Sequence, residues 1–206
     1  MTSPKQTSNE GPGDPAAGLF GPASVTWRLH ADPVLWVAGL RALFLQALHP
    51  EAMAVVAAHS DFRRDWWGRL TRTAAYVATV TYGTTAEAHA AAAAVRRRHA
   101  AIRGTHPDTG RPYQADDPEL LLWVHCCLVD SVLVTCRRGG LPLTDADADR
   151  YVAEQVRAAE LVGLPAEQVP RDTTELAAYL ARIRPQLRAT PAARAAFGRL
   201  VLPPLP

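Results

Sequence analysis

Little in this chain announces a mechanism at first sight. Three cysteines stand among its 206 residues, Cys126, Cys127 and Cys136. Two are adjacent, and adjacent helical positions diverge, so they form neither a Cys-x-x-Cys redox pair nor a zinc pattern. They read as free thiols of a reduced compartment, and a cytoplasmic location is the expectation. Opposite charges nearly cancel, with 22 basic against 20 acidic residues and a net charge of +2. That balance gives no electrostatic ground for binding nucleic acid or an anionic membrane. No apolar stretch reads as the roughly 18 uncharged residues that a bilayer span needs. The first residues hold one lysine and no apolar core, so no secretory leader is read there. No Gly-rich phosphate loop, no Gly-x-Ser-x-Gly elbow and no His-Glu-x-x-His is present. Dinucleotide, kinase and common hydrolase chemistries therefore have no support. No repeat is found, and no segment sustains a period-two alternation, although Tyr76–Tyr82 is rich in β formers.

What is present is helix. Hydrophobic residues make up 48% of the chain, enough for a sizeable core. Residues 1–17 are Ser, Pro, Gly, Asn and Asp with almost nothing apolar, and read as a disordered tail. Residues 18–206 read as a single all-α domain. Ser24 caps a short helix over Val25–His30. Asp32-Pro33 opens an apolar helix over Val34–Leu48 whose apolar residues surround it, so a central position is expected. His49-Pro50 interrupts it, and Glu51–His59 continues. Asp65–Thr81 follows and ends at Gly83. Thr84 or Thr85 caps Ala86–Arg103, which Gly104 stops. Thr105–Asp116 reads as a loop. Glu119–Arg138, Thr144–Leu161, Thr173–Ile183 and Pro191–Leu200 complete the set, roughly seven to nine helices in all.

Two faces carry candidate chemistry. Trp66-Trp67 leads into Arg69, Arg72 and Thr73, which stand at i, i+3 and i+4 and share one helix face. His99 and Arg103 stand four apart at the end of the next helix. A histidine on one helix and a cationic, hydroxylic face on another suit a flat, anionic, metal-bearing cofactor. Haem fits, because its iron takes a histidine and its propionates take arginines. By spacing alone the simpler readings lead: His99 as a charge that favours a helix C-terminus, and the arginine face as a solvated surface. His125 lies in the nearly continuous apolar segment Leu120–Val134, where an imidazole needs a hydrogen-bond partner; it is a core histidine or an alternative ligand. His49 at the helix break reads as structural, and Asp116-Asp117 as a helix cap rather than an acid–base dyad.

In order along the chain, several segments resemble the haem-dependent oxygenases that include the latex-clearing proteins (rubber oxygenases) and the fungal MpaB-type oxygenases. They are Gly21 to Trp27, Leu45 to Pro50, Arg69 to Thr73, Tyr82-Gly83-Thr84, His99 to Gly104, Tyr113 to His125, and Glu154 to Gly163. The resemblance implies a globin-like helical core around haem b, with His99 as the iron ligand. Arg103 would pair with a propionate or lock the ligand helix, and His125 would stand behind as the runner-up ligand. Arg69, Arg72 and Thr73 match the family's distal Arg-x-x-Lys-Thr pattern. Arg72 stands where the pattern has lysine, and arginine is a very poor iron ligand, so a lysine-capped resting state is not implied. The family's candidate base aligns only loosely, near Glu51 to Met53. The implied activity is dioxygen chemistry on an apolar, isoprenoid-like small molecule. Polyisoprene itself is not the expectation without a leader. The alternative is a haem-binding sensor or carrier, or a helical interaction protein. Family members usually continue with further helices, so the expectation is either a C-terminally truncated fragment or a short member with an incomplete pocket. If the chain is full length, its last two helices, Thr173–Ile183 and Pro191–Leu200, are expected to pair two copies as a homodimer.

Overall fold

The computed structural model describes residues 18–59 and 66–201, without the side chains of 66, 67 and 199–201. The expected tail, the start of the third long helix, the tryptophan side chains and the proline-rich end lie outside those residues. The described architecture is all-α. Nine α-helices run in order: α1 Val25–His30, α2 Val34–Ala47, α3 Pro50–His59, α4 Trp66–Tyr82, α5 Thr85–Ala100, α6 Pro118–Arg138, α7 Asp145–Leu161, α8 Thr173–Ile183 and α9 Pro191–Val201. Local chemistry explains most boundaries. Ser24 Oγ accepts from Trp27 N at 3.0 Å and caps α1. Thr84 with Glu87 and Thr144 with Asp147 form reciprocal capping boxes at α5 and α7. Asp117 caps α6, as read, with Pro118 in its first turn.

The sequence reading misses one element. Arg103–Thr105 and Pro112–Gln114 pair as an antiparallel hairpin, β1 and β2, with Gly104 opposite Tyr113. The helix before it therefore stops at Ala100, not Arg103. Gly110 supplies the positive φ, 67°, inside the connecting turn. Gly104 is where the hairpin needs a missing side chain, because a Cβ there would lie 2.4 Å from Tyr113 Oη. Tyr76–Tyr82 is helical despite its β-rich composition, since its apolar positions pack at helical spacing.

The main core forms where α6 packs against α2, α7 and α8, around Leu29, Trp123, Val129, Val132 and Tyr151. Helix α6 is long and apolar enough to cross a membrane by length and composition, contrary to the reading of apolar runs, but most of it is buried inside the fold. Helix α2 is less central than expected. It buries Ala38, Ala42 and Ala47 yet leaves Trp36 and Val37 about half exposed. Arg41 ties it to α6 through Asp130 Oδ2 at 2.7 Å and Ser131 Oγ at 2.8 Å. A second cluster joins Phe20 to Val80, Ala88, Ala92 and Leu161. A third seats α9 on the α2–α3 corner, with Phe44 stacked on Phe197 at 4.9 Å. The apolar faces of α8 and α9 that were expected to pair two copies are thus largely covered within the chain: Leu176, Tyr179, Ala193 and Ala196 are buried.

A buried polar network ties α1 to α4 and α7. His30 Nδ1 lies 2.8 Å from Thr81 Oγ1, and its Nε2 lies 3.0 Å from Tyr151 Oη. Gln155 Nε2 donates to Thr26 Oγ1 at 3.0 Å. The Glu154 carboxylate accepts from Val25 N and Thr26 N at 3.2 and 2.8 Å, so a charge on α7 caps the N-terminus of α1.

Candidate functional site

Helices α4 and α5 are joined by Gly83-Thr84 alone, and so short a connection makes them antiparallel neighbours. A Cβ at Gly83 would meet Thr79 O at 2.6 Å, which is why the turn takes glycine. The antiparallel pairing carries the start of α4 to the end of α5. Arg69 accordingly lies within electrostatic range of both Arg98 and His99. Arg69 is partly buried. Burial first, and then the like charges of Arg72 and Arg98, hold it below the usual arginine range. It stays protonated at neutral pH all the same, so the cluster concentrates positive charge.

His99 is the centre of this cluster. Burial pulls its pKa down; the Asp116 charge opposes that, and Arg69 and Arg98 reinforce it. The imidazole is therefore neutral at pH 7. Its Nδ1 is buried and has no hydrogen-bond partner among the described residues. One turn back, Arg96 donates to the carbonyl of Leu161 and secures α5 to the end of α7. Tyr76 packs against the second cluster with its hydroxyl buried and likewise without a hydrogen bond. Burial raises its pKa, and Arg96 works against that.

The other expected residues divide. Arg103 does not share a helix face with His99, because it lies in β1 beyond the end of α5. It is nevertheless tied to the end of α5. Its Nη1 donates to His99 O at 3.3 Å and to Ile102 O at 3.0 Å, and its Nη2 donates to Asp116 Oδ2 at 2.9 Å. Arg72 and Thr73 are exposed, and the Thr73 hydroxyl donates to Arg69 O at 3.0 Å within its own helix. Glu51 is exposed in the first turn of α3. His49 accepts from Ala52 N at 3.4 Å and sits beside Trp123, so it caps α3. His125 stands apart from the cluster. It has no hydrogen bond among the described residues, and burial alone lowers its pKa to about 4. The expected polar partner is not found among the described residues; His125 is half-buried, and its ring nitrogens are not among the buried polar atoms left without a bond.

Two members of the cluster escape sequence reasoning. Arg98, exposed in a run of three arginines, is singled out only by its electrostatic effect on Arg69 and His99, which the sequence run does not reveal. Asp116 is read as part of a cap, whereas Asp117 alone caps α6 and Asp116 turns to Arg103. The turn residues Pro107, Asp108 and Gly110 are the signal that could have found the hairpin and with it the Arg103–Asp116 pairing.

Among the described residues, no group of three or more His, Cys, Asp or Glu side chains could hold a metal ion by itself. A macrocycle-bound iron needs only one protein ligand, and a neutral, desolvated histidine without a partner suits that demand. A cavity of about 320 Å³ between α2 and the end of α6, lined by Val34, Val37, Arg41, Val134 and Arg138, holds none of the cluster residues.

A family model described as ER-bound oxygenase mpaB/B′/rubber oxygenase, catalytic domain, matches residues 27–206. No curated protein and no solved structure matches the chain.

Proposed function

The chain belongs to the mpaB/rubber-oxygenase catalytic-domain family and is an oxygenase; from that premise we propose that it works with haem b, held through His99. The observation that carries this reading is the buried, unpartnered Nδ1 of a neutral His99 beside the Arg69–Arg98 charge cluster. An imidazole desolvated at that cost, about 1–3 kcal/mol for an unsatisfied polar group, asks for a partner that the chain itself does not supply. Haem, when bound, supplies the iron at which dioxygen is activated.

The chain's own residues have separable tasks. His99 presents a neutral nitrogen. Arg69, with Arg98 beside it, provides fixed positive charge, which favours propionate carboxylates or negative charge developing in the pocket. Arg72 and Thr73 complete the polar side from the same helix, and each must turn inward from its exposed position to do so. Arg103 locks the end of the ligand helix to Asp116 rather than waiting for a propionate. The proposed substrate is an apolar small molecule of isoprenoid character, taken with dioxygen, in keeping with the rubber oxygenases for which the family is named. The family places an enzyme ahead of a sensor or carrier.

Haemin titration followed by absorption spectroscopy tests this. The wild-type protein should take up about one equivalent, as expected for a single histidine-ligated site. His99→Ala should lose it while His125→Ala retains it. Uptake that survives His99→Ala and fails in His125→Ala would transfer the ligand role to α6. A folded protein that takes up none would remove the haem reading altogether. Dioxygen consumption by the reduced protein over a panel of terpenoids tests the substrate class.

A further inference from the structure

We propose that the groove between the start of α2 and the end of α6 is a second binding site, for one molecule of a single-chain anionic amphiphile such as a medium-chain carboxylic acid. The site is separate from the His99 cluster and does not depend on haem. Its cavity of about 320 Å³ is of the size that holds a small ligand. Val34, Val37 and Val134 supply apolar walls. The polar side chains along it are satisfied within the fold, with one exception. The Thr135 hydroxyl donates to Ser131 O at 2.6 Å on its own helix. Arg41 is spent on Asp130 Oδ2 at 2.7 Å and Ser131 Oγ at 2.8 Å, and these contacts also pin the two helices that form the walls. A Cβ at Gly139 would lie 3.2 Å from Val34 Cγ2, so α6 ends tight against the first turn of α2. Arg138 is the exception. It lines the same cavity, is exposed, and makes no hydrogen bond or ion pair among the described residues.

Apolar walls beside one uncompensated guanidinium select a ligand of two parts. An alkyl chain covers the valines, above all the half-exposed Val37. A carboxylate head meets Arg138, whose planar fork accepts it bidentately. A neutral chain leaves Arg138 unused, and a cationic head is repelled. The surrounding charge favours a single molecule over a bilayer. Arg28 reaches this end of α6 through Pro142 O, but it pairs with Asp147 at 3.1 Å. Arg137 pairs with Asp145 at 2.7 Å. An anionic bilayer is attracted by several uncompensated cations, and the groove offers one headgroup its partner.

Isothermal titration calorimetry of the full chain with decanoate, decanol and decyltrimethylammonium, each below its micellar concentration, tests the site. Decanoate should bind as a single equivalent and about tenfold tighter than decanol, the worth of one charge-assisted contact, while the cation should not bind. Arg138→Gln should weaken decanoate about tenfold and leave decanol unchanged. Val37→Asp should abolish binding of both with helix content unchanged by circular dichroism. Arg69→Gln should leave decanoate binding intact. Equal affinity for decanoate and decanol would overturn the proposal. A loss in Arg69→Gln instead of Arg138→Gln would overturn it too, by placing the ligand at the His99 cluster. Sedimentation covers the other occupants. A ligand-free dimer that Val37→Asp dissociates would give the groove to a second copy. Binding to phosphatidylglycerol vesicles that Val37→Asp removes would give it to a membrane. Either result overturns the assignment to a single small molecule.

Discussion

Acid should loosen this fold through His30 before it reaches most carboxylates. The imidazole is 7% exposed, and its two nitrogens face Thr81 and Tyr151. Burial lowers its pKa from 6.5 to about 4. The fold thus favours the neutral ring, which can accept from one hydroxyl and donate to the other. A second proton would turn both nitrogens into donors and force the hydroxyl that had donated to reorient. Between pH 6.5 and about 4 the unfolded chain binds this proton and the folded chain does not. Stability from His30 is therefore complete above pH 6.5 and lost as pH falls to 4. Each tenfold in proton affinity is worth about 1.4 kcal/mol, so the loss is about 3 kcal/mol. Urea denaturation followed by circular dichroism at pH 7.0, 5.5 and 4.5 measures it, compared between wild type and His30→Gln. The variant should be less stable at pH 7 by about 1–3 kcal/mol, the cost of an imperfect buried pairing. Between pH 7.0 and 4.5 it should then lose about 2.5 kcal/mol less than wild type, most of the full effect. All other titrating groups, His125 among them, contribute alike to both proteins. A variant that loses stability as steeply as wild type would refute the reasoning. Because Thr81 lies on α4, the same protonation loosens the helix that carries Arg69.

Other outcomes follow from single contacts. Glu154→Gln should lower stability by about 1–2 kcal/mol, since its charge caps α1 through Val25 N and Thr26 N; an unchanged thermal midpoint would show the cap to be idle. Gly104→Ala should cost about 1–3 kcal/mol, because the new Cβ meets Tyr113, and truncation of that ring in the Tyr113→Ala background should remove most of the cost; equal effects in both backgrounds would refute the clash. Burial pushes the thiols of Cys126 and Cys136 up to about 12 and about 11, and that of Cys127 well up too, so Ellman's reagent at pH 8 should find no fast-reacting thiol until the protein is unfolded.

Most of the fold was legible because helix signals here are local. Ser24, Thr84, Thr144 and Asp117 satisfy first-turn N–H groups within three residues of themselves, so composition alone locates those helix starts. The hairpin was not legible for the opposite reason. Its strands have three residues each, too few for an alternation to register, and what holds them is the fit of Tyr113 over Gly104 and of Arg103 on Asp116. Burial was legible only where apolar residues were continuous. Helix α2 looked as apolar as α6, but Trp36 and Val37 face outward, because a nine-helix arrangement supplies one main partner for α2 on its α6 side.

The candidate site shows the same division between what spacing encodes and what packing decides. The i, i+3, i+4 pattern placed Arg69, Arg72 and Thr73 on one helix, yet it did not decide which of them turns inward, and only Arg69 is partly buried. The resemblance selected His99 over His125, and the pairing of α4 with α5 gives that choice its surroundings. That pairing sets His99 against Arg69 and leaves His125 on a different helix with no charged neighbour. Both imidazoles are neutral at pH 7, so desolvation alone does not separate them. They differ in the company of charge: under the proposed haem reading, a ligand for an anionic macrocycle would have cations nearby, and no charge among the described residues acts on His125. The comparison has a direct consequence. Arg69→Gln should weaken haemin uptake without removing it, by about tenfold for one lost charge-assisted contact of roughly 1.5 kcal/mol, whereas the same measurement on His125→Gln should show no change. Equal losses in both variants would mean that haem lies between α4 and α6 rather than beside α5, and the assignment of His99 would have to be abandoned.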